Sequence, residues 1–119
     1  MILSDSTIRD LCIVAPCVPA AKFRGKSYGL SCAGYDVRAD LESPRDDWFN
    51  YRHVMTPDGD GIALKPGQSI LLGVQEKFTM PDDVVGYARD KSTWARQGVL
   101  TAQAVIEPGW IGYPSLLMG

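Results

Sequence analysis

Histidine is nearly absent from this chain, and cysteine is scarce. His53 stands alone, and Cys12, Cys17 and Cys32 make an odd count with no paired spacing. A disulfide framework is therefore not expected, and a reducing cytoplasm is the natural setting. Cys12 and Cys17 are not at a usual zinc spacing and His53 is far along the chain, so zinc is not expected either. No apolar run approaches the length that crosses a bilayer. The opening segment MILSDSTIRDL carries an acid early and lacks the basic-then-apolar order of a secretory signal. Excess positive charge is also missing. Twelve Lys and Arg stand against 14 Asp and Glu, a formal net charge of −2, which argues against a general nucleic-acid binder. No internal repeat or low-complexity tract is visible.

What is present is ordinary globular composition, 45% hydrophobic and 22% charged, over 119 residues. That length predicts one domain, 1–119, able to bury a core without staples. Ser4 is placed to cap a short helix with Asp5 in its first turn, and Ile8, Leu11 and Cys12 fall on one face of it. Residues 15–34, with two prolines and three glycines, read as an irregular extended connection. From Gly34 to Asp40 the pattern alternates. Tyr35, Val37 and Ala39 point one way, and Asp36, Arg38 and Asp40 the other, so Asp36 and Arg38 read as a pair on the wet face of a strand.

Residues 41–60 read as a loop or irregular hairpin excursion, pinned by Trp48, Phe49 and Tyr51. Short strands and turns follow. Lys65-Pro66-Gly67-Gln68 has the proline and glycine of a type II turn. Strands are expected over 69–74, 76–80, 84–89 and 99–106, with turns at Pro81-Asp82-Asp83 and Glu107-Pro108-Gly109. A last strand over 111–118 is disturbed by Pro114. This spacing of strands and turns predicts an all-β barrel or sandwich.

One segment runs against the overall charge. In 89–98, Arg89, Lys91 and Arg96 stand against Asp90 alone, a local net charge of +2, with Ser92 and Thr93 between the cations. Hydroxyls among cations suit a small polyanion. A solvated charged loop between two strands is the competing reading of the same residues.

Four segments in order carry a resemblance. They are Ala33-Gly34-Tyr35-Asp36-Val37-Arg38-Ala39, Leu64-Lys65-Pro66-Gly67, Lys91-Ser92-Thr93-Trp94-Ala95-Arg96-Gln97-Gly98, and 105–112 with Pro108-Gly109-Trp110. Together they resemble the dCTP deaminase/dUTPase family over nearly the whole chain. MILSDSTIRDL and Ser27-Tyr28-Gly29-Leu30-Ser31 are similar to the deaminase branch. The resemblance implies a mainly all-β fold, a distorted β-barrel of β-clip type with a short N-terminal helix. It also implies a homotrimer with sites at the subunit interfaces, and a deoxynucleoside triphosphate, dCTP or dUTP, bound with Mg²⁺ and without zinc.

Deaminase members convert dCTP and water to dUTP and ammonia. dUTPase members cleave dUTP to dUMP and pyrophosphate. By resemblance Lys91, Ser92, Thr93 and Arg96 hold the triphosphate, and Ser92 also helps orient the reacting water. Asp36 lies near the magnesium, through water, and Glu107 takes the place of an acid that orders water in dUTPases. Gln103 and Ala104 line the base and sugar pocket. Trp110 reads as a packing residue, and Arg89 as solvated or phosphate-facing.

The chain departs from the pattern near position 117. In the deaminase branch a glutamate follows the Gly-Trp-x-Gly run and carries the proton. Here the run is Ser115-Leu116-Leu117-Met118, and Leu117 cannot move a proton. The family also continues for further strands beyond the position of Gly119, so the expected barrel lacks its usual C-terminal strands. Three readings stay open: a dCTP deaminase, a dUTP diphosphatase, or a nucleotide-binding relative that has lost the deaminase proton carrier.

Overall fold

The computed structural model describes residues 1–23, 25–42, 52–57 and 59–119. The expectation that Trp48, Phe49 and Tyr51 pin an excursion lies outside the described residues.

Helix α1 (Asp5–Asp10) starts where its cap predicts. The Ser4 hydroxyl accepts from the Thr7 N–H, and Asp5 sits in the first turn against the positive end of the helix dipole. The expected apolar face is only one residue wide. Ile8 is buried, whereas Leu11 and Cys12 are exposed. Cys12 adopts a left-handed φ of 53°, so the helix has ended before those side chains can line up with Ile8.

The chain then enters β1 (Val14–Ala15), β2 (Ala21–Phe23), β3 (Lys26–Ser31) and β4 (Gly34–Asp36). The last three form an antiparallel meander, which corrects the expectation of an irregular connection over 15–34. Glycine here serves strand pairing rather than looseness. Gly29 takes φ 91°, and a Cβ on it would lie 2.7 Å from the carbonyl oxygens of both Val18 and Pro19. Only glycine lets that segment approach closely enough for the Leu30 N–H to reach the Val18 carbonyl at 2.8 Å. Strand β4 is also shorter than the alternation predicted. Beyond Asp36 only Ala39 pairs again, as an isolated bridge to Val74.

The hairpin β5 (Arg52–Thr56) and β6 (Gly59–Ala63) starts within the span 41–60 read as a loop or hairpin excursion and runs past its end to Ala63. The Lys65–Gln68 turn is type II as expected, with Gly67 at φ 84° and the Gln68 N–H on the Lys65 carbonyl at 3.0 Å. Strands β7 (Ile70–Gly73) and β8 (Lys77–Thr79) are separated by a bend, and β9 (Gly86–Ala88) follows. After helix α2 (Ser92–Ala95) come β10 (Ala104–Ile106), β11 (Ile111–Gly112) and β12 (Ser115–Met118). The strand expected over 99–106 is regular only in its last three residues, with Thr101 bridging Met118. Pro114 breaks the last strand as predicted. β11 pairs with β8, and after the proline β12 pairs with β7.

Among the described residues the strands fall into five small antiparallel sheets that do not close into a barrel. The mainly all-β, dUTPase-like fold class holds, without closure. One hydrophobic cluster joins Ile8, Ile13, Val14 and Met80, with Leu30, Tyr35, Phe78 and Ile106 packed against it. Ile70, Leu72 and Val74 are buried at alternate positions along and just beyond β7, with Leu71 half-buried and Gly73 buried between them.

Candidate functional site

Asp36 is the last residue of β4, opposite Gly29 in register, and Ser27 lies two residues before Gly29 on the same strand face. Lys91 is the residue that precedes α2. Its ammonium crosses to this face, 2.6 Å from Asp36 Oδ2 and 2.9 Å from Ser27 Oγ. The Ser27 hydroxyl also points at Asp36 Oδ2, at 3.5 Å. The three groups come from positions 27, 36 and 91, so only the fold unites them. Both charged side chains are partly screened from water, 26% exposed for Lys91 and 31% for Asp36.

The wet-face pairing of Asp36 with Arg38 is not what forms. Arg38 turns the other way. Its Nε lies 2.8 Å from Glu76 Oε1 and its backbone N–H donates to Glu76 Oε2 at 3.1 Å. Glu76 is completely buried, so its charge must be matched. The hydrogen bond that Arg38 donates to Glu76 raises the Arg38 pKa above its ordinary value, although burial works in the opposite direction. The Arg38 guanidinium also lies 5.2 Å from the Tyr28 ring centre. Neighbouring Tyr35 donates its hydroxyl hydrogen to the Pro16 carbonyl and accepts from the Val18 N–H. Burial pushes its pKa up. The backbone on both sides of Asp36 is thus held by side chains reaching elsewhere.

Helix α2 is a single turn with no buried residue. A helix that short is not stable by itself, and its position depends on ties to its surroundings. The Lys91 contacts hold its start. Lys26 Nζ lies 4.5 Å from the Trp94 ring centre. Asp90 Oδ1 accepts the Thr101 N–H, and the Val99 N–H reaches the Trp94 carbonyl at 3.0 Å. Ser92 and Arg96 are four residues apart, with the Arg96 N–H on the Ser92 carbonyl at 3.0 Å, which sets their side chains on one side of the turn. Both are exposed, while Thr93 is half-buried. The first N–H groups of the turn, at Ser92 and Thr93, have no acceptor within the helix.

Gln103 is exposed and Ala104 half-buried where β10 begins. Glu107 is exposed after β10, and its backbone carbonyl accepts the Trp110 N–H at 3.2 Å. Among the described residues neither the Gln103 nor the Glu107 side chain makes a hydrogen bond. The Trp110 ring lies over Gly112, about 3 Å from where a Cβ would stand, and the side chain stays exposed. Arg89 is exposed and has no ion-pair partner among the described residues. Leu117 lies on β12 opposite Leu71, and its carbonyl accepts the Ala102 N–H at 2.8 Å. Position 117 therefore runs beside the strand that leads into Gln103 and Ala104.

The structure thus brings Asp36 to Lys91, Ser92 to Arg96, and Leu117 to the approach of Gln103. Among the described residues no ion pair or hydrogen bond joins the Glu107 side chain to the basic turn. Sequence reasoning did not assign roles to Ser27, Lys26 and Glu76. Ser27 could have been found from its spacing of two from Gly29, had the β3–β4 pairing been known.

Among the described residues no three His, Cys, Asp or Glu side chains gather as a metal cage. A magnesium ion does not need one. It keeps most of its waters and is satisfied by one carboxylate plus phosphate oxygens. Asp36 fits that requirement, because Oδ2 takes the bonds from Lys91 and Ser27 while Oδ1 has no partner among the described residues.

A family profile described as dCTP deaminase-like matches residues 2–118. Among curated proteins, the dCTP deaminase of Thermococcus sibiricus is 34% identical over 112 residues, covering 94% of this chain and 64% of its own length. That of Novosphingobium aromaticivorans is 33% identical, covering 97% of this chain and 71% of its own length. That of Acidobacterium capsulatum is 30% identical, covering 97% of this chain and 70% of its own length. The chain spans about half to seven tenths of the length of the curated relatives it matches.

Proposed function

We propose that this chain, which belongs to the dCTP deaminase-like family, binds a deoxynucleoside triphosphate and hydrolyses dCTP to dUTP and ammonia. The observation that carries the reading is the reach of Lys91 over 55 positions to Asp36, which seats the basic turn on the β3–β4 edge. Lys91, Ser92, Thr93 and Arg96 hold the triphosphate, with the exposed N–H groups of the turn assisting. Asp36 holds magnesium through water, and the ion, when bound, supplies positive charge to the phosphate tail. Ser92 orients the attacking water, Glu107 orders solvent nearby, and Gln103 and Ala104 line the base and sugar pocket. The protein acts as a homotrimer in the cytoplasm, with the site completed at a subunit interface.

The reaction adds water oxygen to C4 of cytosine, moves a proton toward N3 and the amino group, and expels ammonia. A carboxylate ordinarily carries that proton. In the register set by the resemblance Leu117 takes that carboxylate's place, and leucine carries no proton. This favours a second reading, a nucleotide-binding relative that keeps the phosphate cradle without turning over the base.

One assay separates the readings. The protein is incubated with dCTP or dUTP and Mg²⁺, and ammonia and pyrophosphate are measured separately. Ammonia from dCTP supports the deaminase. Pyrophosphate from dUTP replaces it with a dUTP diphosphatase. Binding with neither product supports the second reading. Leu117→Glu is expected to raise ammonia release by about a hundredfold or more. No rise would show that position 117 is not the proton carrier's place.

A further inference from the structure

We infer that Lys26 is a positioning residue of the basic turn: through the Trp94 ring it fixes the rotation of α2, so that Ser92 and Arg96 face the nucleotide together. The inference rests on the phosphate-binding reading above. Lys26 Nζ lies 4.5 Å from the centre of the Trp94 ring, within the range of a cation–π contact. Lys91 and Trp94 are three residues apart and share one side of the turn. They meet consecutive residues at the start of β3. Lys91 Nζ reaches Ser27 Oγ at 2.9 Å, and the Trp94 ring meets Lys26. At about 100° per residue, Ser92 and Arg96 lie on the side opposite Trp94. The turn has a seated side and a working side.

A single turn with no buried residue has little packing to hold its rotation. The Lys91 tie acts at the residue before α2, and the Asp90 and Val99 contacts tie the chain before and after the turn. Among the described residues, Trp94 is the one side chain of Ser92–Ala95 with a hydrogen bond, ion pair or ring contact to another element. It is 43% exposed, so apolar burial alone does not lock the ring. Without the Lys26 ammonium the ring is free to swing, and the turn can roll about its Lys91 end. Ser92 and Arg96 then lose their common aim at the phosphate tail. Lys26 itself is half-buried on the surface, and its loss leaves the core cluster untouched.

The test is a binding titration, with no turnover required. Dissociation constants for dCTP with excess Mg²⁺ are measured calorimetrically for the native protein, Lys26→Met, Lys26→Arg, Lys22→Met, Trp94→Leu and the double variant Lys26→Met with Trp94→Leu. Lys26→Met is expected to bind about threefold to tenfold more weakly than the native protein, the worth of a partly screened cation–π contact. Lys26→Arg, which keeps a cation for the ring, should restore most of the affinity. Lys22 is exposed on β2 opposite Ser27 in register, so Lys22→Met removes the same charge from the same hairpin and should change binding less than about twofold. In the Trp94→Leu background, Lys26→Met should cost nothing further. Thermal midpoints confirm that the variants are folded. If Trp94→Leu is not, the comparison of Lys26→Met with Lys26→Arg and Lys22→Met carries the test. A Lys26→Met protein that binds like the native one, a loss matched by Lys22→Met, an arginine that restores nothing, or a loss that persists without the indole overturns the inference and leaves the phosphate site standing. A native protein that binds no dCTP at millimolar concentration overturns the phosphate site and the inference with it.

Discussion

Glu76 is the residue on which the backbone around Asp36 depends most directly. It is fully buried, and it binds the guanidinium and the backbone N–H of Arg38 at once. Removing one member of such a pair leaves an unmatched charge in a poorly solvated place. Arg38 keeps 31% exposure and can recover some hydration. Glu76→Gln is therefore expected to cost about 3 kcal/mol, the lower end for a broken buried pair, measured by urea denaturation. The double variant Arg38→Met with Glu76→Leu should recover most of that loss, because no charge is then stranded. The same pair explains why Asp36 and Arg38 were misread together. Alternation along a strand tells which side chains share a face, but it does not tell which distant partner each will find. Glu76 lies 38 positions away from Arg38 and Lys91 lies 55 from Asp36, and neither contact has a local signature.

Individual elements were legible where the chemistry is local. The Ser4 cap, the Pro66-Gly67 turn and the break at Pro114 each depend on a few adjacent residues, and all three form as expected. The β2–β3 hairpin was hidden because its apolar residues neither alternate cleanly nor run together, and its pairing is permitted by a glycine that reads as a breaker. The basic turn was legible as a cluster of charge, but its seat on β3 was not.

Two glycines with similar backbone angles separate strain from close approach. At Gly67, φ is 84° and no atom lies within 4 Å of a built Cβ, so Gly67→Ala should cost about 1–2 kcal/mol from the left-handed conformation alone. At Gly29, φ is 91° and two backbone oxygens stand at 2.7 Å. Gly29→Ala should cost roughly 2–4 kcal/mol, strain and overpacking together. Denaturation midpoints measured side by side would check the order, and equal losses would mean that residues 18–19 can move aside. Gly29 also faces Asp36 across the sheet, so its replacement should disturb the Lys91 contact while Gly67→Ala leaves it intact.

The whole molecule leaves much apolar surface uncovered. Tyr87 and Val105 pair directly across the two-stranded β9–β10 ribbon and are 65% and 54% exposed. One side of the ribbon is packed, through Ile106 against the core cluster, and Tyr87 with Val105 form an apolar pair on its exposed side. The trimer proposed above would cover this pair if the ribbon lies in the subunit contact. Replacing both with glutamate, Tyr87→Glu and Val105→Glu, is expected to shift the sedimenting mass from trimer toward monomer. A double variant with unchanged mass would remove this ribbon from the subunit contact. The overall fold class was readable because short strands punctuated by Pro and Gly dominate the chain. Closure was not, because it depends on which sheet edges meet.

The lysine that bridges to Asp36 has a last consequence, concerning when the site comes into being. Ser27 and Asp36 emerge early during synthesis, whereas Lys91 follows only after the β5–β6 and β7–β8 segments have been made. The Ser27–Asp36–Lys91 contact is therefore absent from either half of the chain alone. A ligand that engages both halves would act as a clasp on the folded state as a whole.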